Sequence, residues 1–482
     1  METAHKHQSI DEARYFSKSG IPALKETLRN IWTTPNLPLI ASTNCLEWID
    51  MFLFIHCASL FASVFAPQEL QDKMATIFAG ILWVVPSLSA IILGMLSDMW
   101  GRRRPLMVTA FGVIILTAFL AIIPTYSQIG IWSFIIFMGI RILMSFFISG
   151  ENILANVYAY ESSHNYEDTC LTMPFVDTGE IVAGICILLV SSLLLSFSDC
   201  LSNEYIARAL LVGLVICFAV LIRQRQNLKE SQQFLDERDM AESHEKYGRT
   251  YLKMSTLFKE NIGLKREFVL YGLLRLLYPI PFVISYIYVP EILKERLAYS
   301  TLETMHHNIF VLFGELFITL SMALTAFWLE KHKILSRKTL SLFVLIFPLI
   351  GGIVFFYYLT TSNHLNPLII ALCQISILGF CWSTLMGGQF FSQFPTMGRT
   401  RLSTIAWAFC RVFGAVVLFG IMEPLKSYGH YDYFFVFFVG LAIHFSVIYF
   451  SKEPSREQKL LGFDGRWTLQ KKQRQKKLGY EI

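Results

Sequence analysis

Hydrophobic residues in this chain fall into twelve long runs separated by shorter polar segments. A helix needs about 20 apolar residues to cross the hydrocarbon core of a bilayer. Lipid offers no hydrogen-bond partner to an exposed peptide group, so runs of that order are predicted to be helices. The pattern predicts an all-α integral membrane protein of about twelve transmembrane helices. The predicted helices 1 to 12 cover 37–65, 74–96, 105–125, 130–157, 172–197, 205–222, 266–290, 306–329, 338–359, 365–389, 402–422 and 430–450.

One charged segment, 223–265, interrupts the apolar runs and is too polar to insert in a membrane. It divides the chain into two predicted six-helix halves, 37–222 and 266–450, as in a transporter built from two related halves. An N-terminal arm, 1–36, and a basic tail, 451–482, flank the halves. The arm lacks the short apolar core and small-residue cleavage site of a signal peptide.

Composition supports the membrane class. The 482 residues are 54% hydrophobic and only 16% charged, whereas soluble domains carry about 25% charged residues. The nine cysteines show neither CxxC nor a spacing that pairs them with histidine, so we expect no disulfide framework and no metal site. The central segment and tail have mixed charge and few aromatic residues, which argues against nucleic-acid binding. The tail is expected to lie against anionic lipid of the bilayer.

Basic residues predict the orientation of the chain in the membrane. They concentrate in the arm, in the loops after helices 2 and 8, at both ends of the central segment and in the tail. The opposite loops hold only Lys73, Lys294, Arg296 and Lys426. Because basic loops stay on the cytoplasmic side, both termini are predicted to be cytoplasmic, which requires an even number of helices.

The most specific motif lies between predicted helices 2 and 3, where the sequence reads GMLSDMWGRRR from Gly94 to Arg104. The glycines allow a tight turn and a close helix approach, Asp98 can pair with an arginine, and the arginines can stay in water beside headgroups. The stretch resembles the GxLxDxxGRR loop motif of the major facilitator superfamily. The resemblance implies a conformational gate, for which the candidates are Gly94, Asp98, Gly101, Arg102, Arg103 and Glu151.

Four further stretches resemble the metabolite:proton symporter branch of that superfamily, which includes transporters of proline, betaine and organic acids. They are EWIDMF from Glu47, Arg141 followed by ISGE ending at Glu151, RQNLKESQQF from Arg225, and FPTMGR from Phe394. The resemblance spans both halves. It implies a twelve-helix fold, alternating access, proton coupling, a monomer and a bacterial inner membrane.

Three polar residues of predicted helix 1, Asn44, Glu47 and Asp50, are spaced by three and share one face. A charge at membrane depth costs roughly 2.5–3.5 kcal/mol on insertion scales, so each such charge is expected to have a functional or structural role. Two carboxylates on one face repel each other, which favours holding a proton on one of them. Asp50 and Glu47 are therefore the proton-coupling candidates. The alternative for both is a structural pairing with arginine.

Substrate-binding candidates come from charges in four other helices. Arg141 is expected to face a central cavity, about 15 Å along the helix from Glu151 and too far to pair with it. Arg275 and Glu315 are expected to neutralise each other. Arg411 has no partner in its own helix and is a natural ligand for a carboxylate or phosphate.

On predicted helix 5, Asp177 and Glu180 share a face near the start of the helix. Acidic residues in the first turns of a helix complement its dipole. We therefore expect these two to form an interfacial pair without a role in transport.

These residues favour proton-coupled uptake of a small polar metabolite bearing a carboxylate, such as an amino acid, betaine or organic acid, by alternating access. The alternatives are an exporter of a small molecule or siderophore, and a non-transporting membrane sensor. The Gly-Pro pair common in exporters is absent from 172–197, which disfavours export. The chain holds no GxSxG, HExxH or Walker sequence in a plausible context, so we expect no enzyme and no cofactor besides the coupling proton.

Overall fold

The computed structural model describes residues 37–148, 151–163, 165–243, 258, 263–276, 279–378, 382–427 and 431–454. The predicted arm at 1–36 and most of the predicted tail at 451–482 lie outside these residues. Every regular element in the described ranges is a helix.

The first half contains six membrane-spanning helices, labelled α1 to α6. They are α1 (Leu37–His56), α2 (Met74–Trp100), α3 (Arg103–Ile122), α4 (Ile131–Ser162), α5 (Thr169–Leu195) and α6 (Asn203–Arg225). The short helix Ala58–Phe65 continues α1, and the helical turns Gln68–Lys73 and Tyr126–Ile129 occupy two of the loops. A further helix, Gln232–Ser243, follows α6 in the polar central segment.

The second half contains helices α7 to α12. They are α7 (Leu264–Leu297), α8 (Thr301–Lys331), α9 (Arg337–Thr361), α10 (Pro367–Leu378), α11 (Thr396–Val417) and α12 (Phe434–Phe450). Helix α7 includes a π-helical turn at Ile284–Tyr288, and α11 is followed by another at Leu418–Met422 and by Glu423–Ser427. Helix Trp382–Phe391 continues the chain after α10.

Nine helices in the described ranges are long and apolar enough to cross a membrane. The apolar stretch Val84–Trp100 of α2 and the shorter helices α10 and α12 occupy the remaining predicted positions. Large apolar side chains such as Ile122, Trp132 and Leu193 stay exposed, as expected for surfaces that face lipid. The prediction of an all-α membrane fold is confirmed, and the helices of the described ranges are consistent with about twelve crossings.

The two halves meet along two seams, where α2 packs against α11 and α5 against α8. Helix α1 packs against α4 and α5 within the first half, and α7 packs against α11 and α12 within the second. Helices α3 and α6 pack against each other, as do α9 and α10. Polar side chains of α2 and α5 can therefore meet those of α11 and α8 between the halves.

Two glycines allow backbones to approach closely at these contacts. A Cβ at Gly179 would overlap the carbonyl oxygen of Ala41. Helices α5 and α1 can therefore approach this closely only because residue 179 has no side chain. A Cβ at Gly94 would overlap the side chain of Thr404, which imposes the same requirement between α2 and α11. The first approach brings α1 polar residues to α5, and the second holds the halves together near the α2–α3 loop.

Candidate functional site

The polar face of α1 lies at the centre of the candidate site. Asn44, Glu47 and Asp50 are all buried, with at most 3% of their surface exposed. Each reaches a different helix: Asn44 contacts α5, Glu47 contacts α11 and Asp50 contacts α4. One helix face therefore serves three separate polar contacts.

Asp50 forms a bidentate ion pair with Arg141. Arg141 Nη1 donates to Asp50 Oδ1 at 2.6 Å and Nη2 donates to Oδ2 at 3.0 Å, with both side chains fully buried. The guanidinium carbon also lies 3.5 Å from the ring centre of Phe54. The sequence proposed these residues separately, as a proton carrier and an anion ligand. The structure joins them in the strongest geometry available to an arginine and a carboxylate.

Glu47 pairs with Arg411 across the two halves. Arg411 Nη2 donates to Glu47 Oε1, and the Arg411 guanidinium carbon lies 4.8 Å from the ring centre of Trp407. The second carboxylate oxygen, Oε2, is buried and accepts no hydrogen bond from the described residues. The partner of Arg411 thus belongs to the other half of the chain, so the sequence of α11 alone does not reveal it.

The predicted Arg275–Glu315 pair is wrong. Arg275 Nε donates to the hydroxyl of Tyr271 at 3.2 Å, and Glu315 Oε2 accepts from the hydroxyl of Tyr286 at 2.8 Å. Both are buried, but within the described ranges the two do not form an ion pair with each other. Asp177 of α5 lies within electrostatic range of both. The charge facing Arg275 therefore comes from the opposite half.

Helix α5 contributes more than the predicted interfacial pair. Glu180 is 3% exposed and accepts hydrogen bonds from Asn44 and from Asn152 of α4. Asp177 is half-buried and accepts from Asn156 Nδ2 at 3.2 Å. The expectation for Glu180 is wrong because α5 begins at Thr169, which puts this residue near mid-helix. The signal in the sequence was the pair Asn152 and Asn156, one turn apart on α4.

The gate motif forms a buried cluster at the α2–α3 end of the bundle. Arg102 is fully buried and donates to Asp98 Oδ1 at 3.3 Å, to Glu161 Oε1 at 2.9 Å and to the carbonyl of Thr396 at 3.0 Å. Burial by itself lowers the pKa of Arg102, but Glu161 and Asp98 together raise it above its ordinary value, so the guanidinium stays charged. The contact to Thr396 crosses from one half to the other.

Two arginines of α11 complete this cluster. Arg399 Nη1 donates to Glu161 Oε1 at 3.0 Å, and the backbone N–H of Arg401 donates to Asp98 Oδ2 at 3.1 Å. Neither arginine, nor Glu161, is among the residues predicted from the sequence to act at the gate. The FPTMGR stretch was the available signal for Arg399.

The other gate candidates hold the loop from within the first half. Gly101 has a φ of 95°, which favours glycine. Glu230 accepts from the backbone N–H of Arg102 at 2.9 Å and of Arg103 at 3.1 Å. Glu151 pairs with Arg225 at 2.9 Å and so ties α4 to α6.

A second cross-half contact lies at the same end, at the α8–α9 turn. Arg337 donates to Glu330 Oε2 at 2.7 Å, to the carbonyl of Tyr166 at 3.0 Å and to Thr169 Oγ1 at 2.9 Å. Tyr166 and Thr169 belong to the first half, while Arg337 and Glu330 belong to the second. Charges from both halves therefore close this end of the bundle in the structure.

Comparison with known sequences gives one family. The model of the Major Facilitator Superfamily matches residues 40–418. The chain is 25% identical over 379 residues to the proline/betaine transporter of Escherichia coli K12, covering 76% of this chain and 72% of that protein. It is 24% identical over 381 residues to the proline/betaine transporter of Salmonella typhimurium, with the same coverage. A putative proline/betaine transporter of Staphylococcus aureus is 27% identical over 229 residues, or 45% of this chain and 47% of that protein.

Solved structures share the fold. The proton:xylose symporter XylE bound to 6-bromo-6-deoxy-D-glucose has a TM-score of 0.68 at 18% identity, over 88% of this chain and 95% of that chain. The transporter FucP in its outward conformation has a TM-score of 0.64 at 10% identity, over 87% and 99%. The inward-open xylose transporter of E. coli has a TM-score of 0.58 at 17% identity, over 88% and 97%.

Proposed function

The chain belongs to the major facilitator superfamily, and from this premise we propose that it is a proton-coupled symporter of a small polar solute bearing a carboxylate. The family and the named relatives make it a membrane transporter of small molecules and not an enzyme. The observation that carries the proposal is the buried Asp50–Arg141 pair, on the same helix face that reaches Arg411 between the halves.

Asp50 is the proposed proton carrier. In the ionised form its two oxygens neutralise Arg141 at 2.6 and 3.0 Å. A proton on Asp50 removes the negative charge and leaves a buried guanidinium without its counter-charge, which costs several kcal/mol in proteins. The two protonation states therefore favour different arrangements of α1 and α4. A proton that binds one of two conformations more tightly than the other shifts their populations.

Arg411 is the proposed ligand of the solute carboxylate. Its planar guanidinium suits two-pronged binding of a carboxylate, and Glu47 occupies it in the structure. A solute carboxylate would replace Glu47 and release the contact between α1 and α11. Proline and betaine, named for the relatives, both carry a carboxylate. Arg275 and Glu315 remain secondary candidates, since their contacts are to tyrosine hydroxyls.

The orientation of the protein is also part of the proposal. The closed end bears the basic loop Arg102 to Arg104 and is assigned to the cytoplasm. Both chain termini are then proposed to lie on that side. The resemblance to the metabolite:proton symporter branch supports a bacterial inner membrane and a monomer.

The test is uptake into proteoliposomes driven by a proton gradient, with labelled proline, glycine betaine and succinate. Wild type should accumulate at least one of them, and a protonophore should abolish the accumulation. Asp50→Asn should lose gradient-driven accumulation but keep exchange of solute at equal concentrations, because exchange needs no proton movement. Glu204→Gln is the matched control, since it removes an exposed carboxylate that pairs with Arg208 away from the site.

Two results would overturn the proposal. If Asp50→Asn still accumulates solute like wild type, Asp50 is not the proton carrier. If folded wild type accumulates none of the three, the alternatives of export or sensing take its place. Thermal unfolding of each variant separates loss of function from loss of fold.

A further inference from the structure

Aromatic side chains of α1 meet α7 of the second half at the α1–α2 end of the bundle, opposite the α2–α3 loop. The ring centre of Phe52 lies 6.1 Å from that of Phe282 and 5.0 Å from that of Tyr286. The ring centre of Trp48 lies 5.9 Å from that of Phe282 in an edge-on contact. His56, the last residue of α1, stacks on Phe52 with 5.4 Å between the ring centres. Side chains of both halves therefore close this end as well.

A hydrogen bond also joins the halves in this layer, between His56 of α1 and Asn308 of α8. His56 Nδ1 lies 3.0 Å from the carbonyl oxygen of Phe52, and His56 Nε2 lies 2.8 Å from Asn308 Nδ2. A carbonyl oxygen can only accept, so Nδ1 carries the ring proton and Nε2 accepts from the amide of Asn308. The neutral ring thus forms both bonds at once.

Each partner of this bond is held from within its own half. The ring of His56 is fixed by the preceding turn of α1. Next to Asn308 in α8, His307 Nε2 lies 2.7 Å from Gln374 Oε1 of α10. Gln374 Nε2 in turn donates to the carbonyl oxygen of Ser285 in α7 at 2.8 Å. These bonds lie within one half and can persist when this end opens, whereas the His56–Asn308 bond exists only when the end is closed.

The burial of Asn308 argues that its bond to the other half matters. The residue is 0% exposed, and its Oδ1 has no hydrogen-bond partner among the described residues. An asparagine with a purely structural role is expected to satisfy its amide within its own half, because an unpaired buried amide is costly. Here the amide nitrogen reaches His56 in the other half. Opening this end would break that bond.

We propose that His56 and Asn308 form a gate contact that holds the α1–α2 end of the bundle closed. The inference goes beyond the proposed function, because it assigns to the conformational cycle two residues outside the proton and solute sites. The bond is between neutral groups, whereas the Arg399–Glu161 bond at the other end is between charged groups. Neutral hydrogen bonds are the weaker class. Loss of this one should shift the open-to-closed ratio at the α1–α2 end about two- to tenfold.

The test is a distance measurement across the α1–α2 end of the full-length protein in lipid nanodiscs, without solute or gradient. Spin labels at Gln68 and Glu295 are exposed at this end, one in each half. The sample is held at about pH 8, where an unperturbed imidazole is neutral. Wild type should give a short distance by pulsed dipolar spectroscopy. His56→Leu should add a longer population, because leucine cannot accept from Asn308, and His56→Gln should restore the short distance because its amide oxygen can.

Further variants separate a gate contact from a general loss of packing. The double variant His56→Leu with Asn308→Leu should shift the distribution no further than either single variant, since all three remove the same bond. His306→Leu is the matched control, because His306 is an exposed histidine of the same helix. The distance between labels at Arg104 and His332, at the α2–α3 end, should not lengthen in any of these variants.

Three results would overturn the gate contact. They are a distribution in His56→Leu equal to that of wild type, an equal shift in His306→Leu, and additive shifts from His56→Leu and Asn308→Leu. Thermal unfolding checks the fold of each variant. If Asn308→Leu does not fold, the comparison of His56→Leu with His56→Gln decides.

These outcomes are separable from the proposed function. The distance measurement uses neither solute nor gradient, so it remains valid if wild type accumulates no solute. Gradient-driven uptake that needs Asp50, in a protein whose α1–α2 end ignores His56→Leu, would leave proton symport intact and remove the gate contact.

Discussion

Removing the charge of Glu161 should open the end of the bundle that carries the α2–α3 loop. Glu161 Oε1 accepts from Arg102 Nη2 at 2.9 Å and from Arg399 Nη1 at 3.0 Å, and all three side chains are at most 5% exposed. Arg102 and Glu161 belong to the same half, so their bond is retained whether this end is open or closed. The Arg399 bond crosses the halves and exists only when the end is closed. Only the second bond therefore biases the equilibrium.

The size of the expected shift follows from the energy of the Arg399–Glu161 bond alone. A hydrogen bond to a charged group contributes about 1.5–3 kcal/mol. Each 1.4 kcal/mol is a factor of ten in an equilibrium constant, so Glu161→Gln should shift the closed-to-open ratio roughly 10- to 150-fold toward open. A shift of that size converts a predominantly closed population into a measurable mixture of closed and open molecules.

Spin labels at Arg104 and His332 measure the opening directly. Both positions are exposed at this end, one in each half. Pulsed dipolar spectroscopy on wild type should give one short distance, and Glu161→Gln should add a longer population. Glu230→Gln is the matched control, because Glu230 contacts the backbone of Arg102 and Arg103 from within the first half. An unchanged distance distribution in Glu161→Gln, or an equal shift in Glu230→Gln, would refute the reasoning.

Two further perturbations test the contacts between the halves. Gly94→Ala should lower thermal stability, by about 1–3 kcal/mol as for other overpacked sites, because the new Cβ overlaps Thr404; Thr404→Gly in the same chain should restore it, and no rescue would place the strain elsewhere. Arg411→Leu should destabilise the fold by about 3–5 kcal/mol, since it leaves Glu47 buried without its counter-charge. Adding Glu47→Leu should recover the midpoint of unfolding but not uptake, and recovered uptake would show that neither charge acts on the solute.

Helix positions were readable from the sequence because burial in lipid demands continuous apolar runs. The predicted run 74–96 corresponds to Met74–Trp100 and the run 205–222 to Asn203–Arg225. Pairing of Asp98 with an arginine was also predictable, because the loop motif places three arginines directly after the end of α2, and Arg102 is the one that pairs. Local sequence is sufficient for both.

Side-chain contacts between the two halves could not be predicted from the sequence. Glu47 and Arg411 are 364 residues apart, and Asp98 and Arg401 are 303 apart. Their contact depends on the register between helices of different halves, which no pattern within one helix encodes. The wrong Arg275–Glu315 pair has the same origin. Adjacent helices in the chain were assumed to pair, whereas each side chain meets a tyrosine hydroxyl of α7.

Under the proposed function, the arrangement on α1 would couple the proton to the solute. Asn44, Glu47 and Asp50 occupy successive turns of a single helix, so a displacement of α1 changes all three contacts together. In the proposed mechanism, protonation of Asp50 would weaken the contact between α4 and α1, and a solute carboxylate at Arg411 would weaken the contact between α11 and α1. Two ligands that bias the same rigid element must change each other's affinity by the same factor. Solute affinity in wild type should therefore depend on pH, and that dependence should disappear in Asp50→Asn.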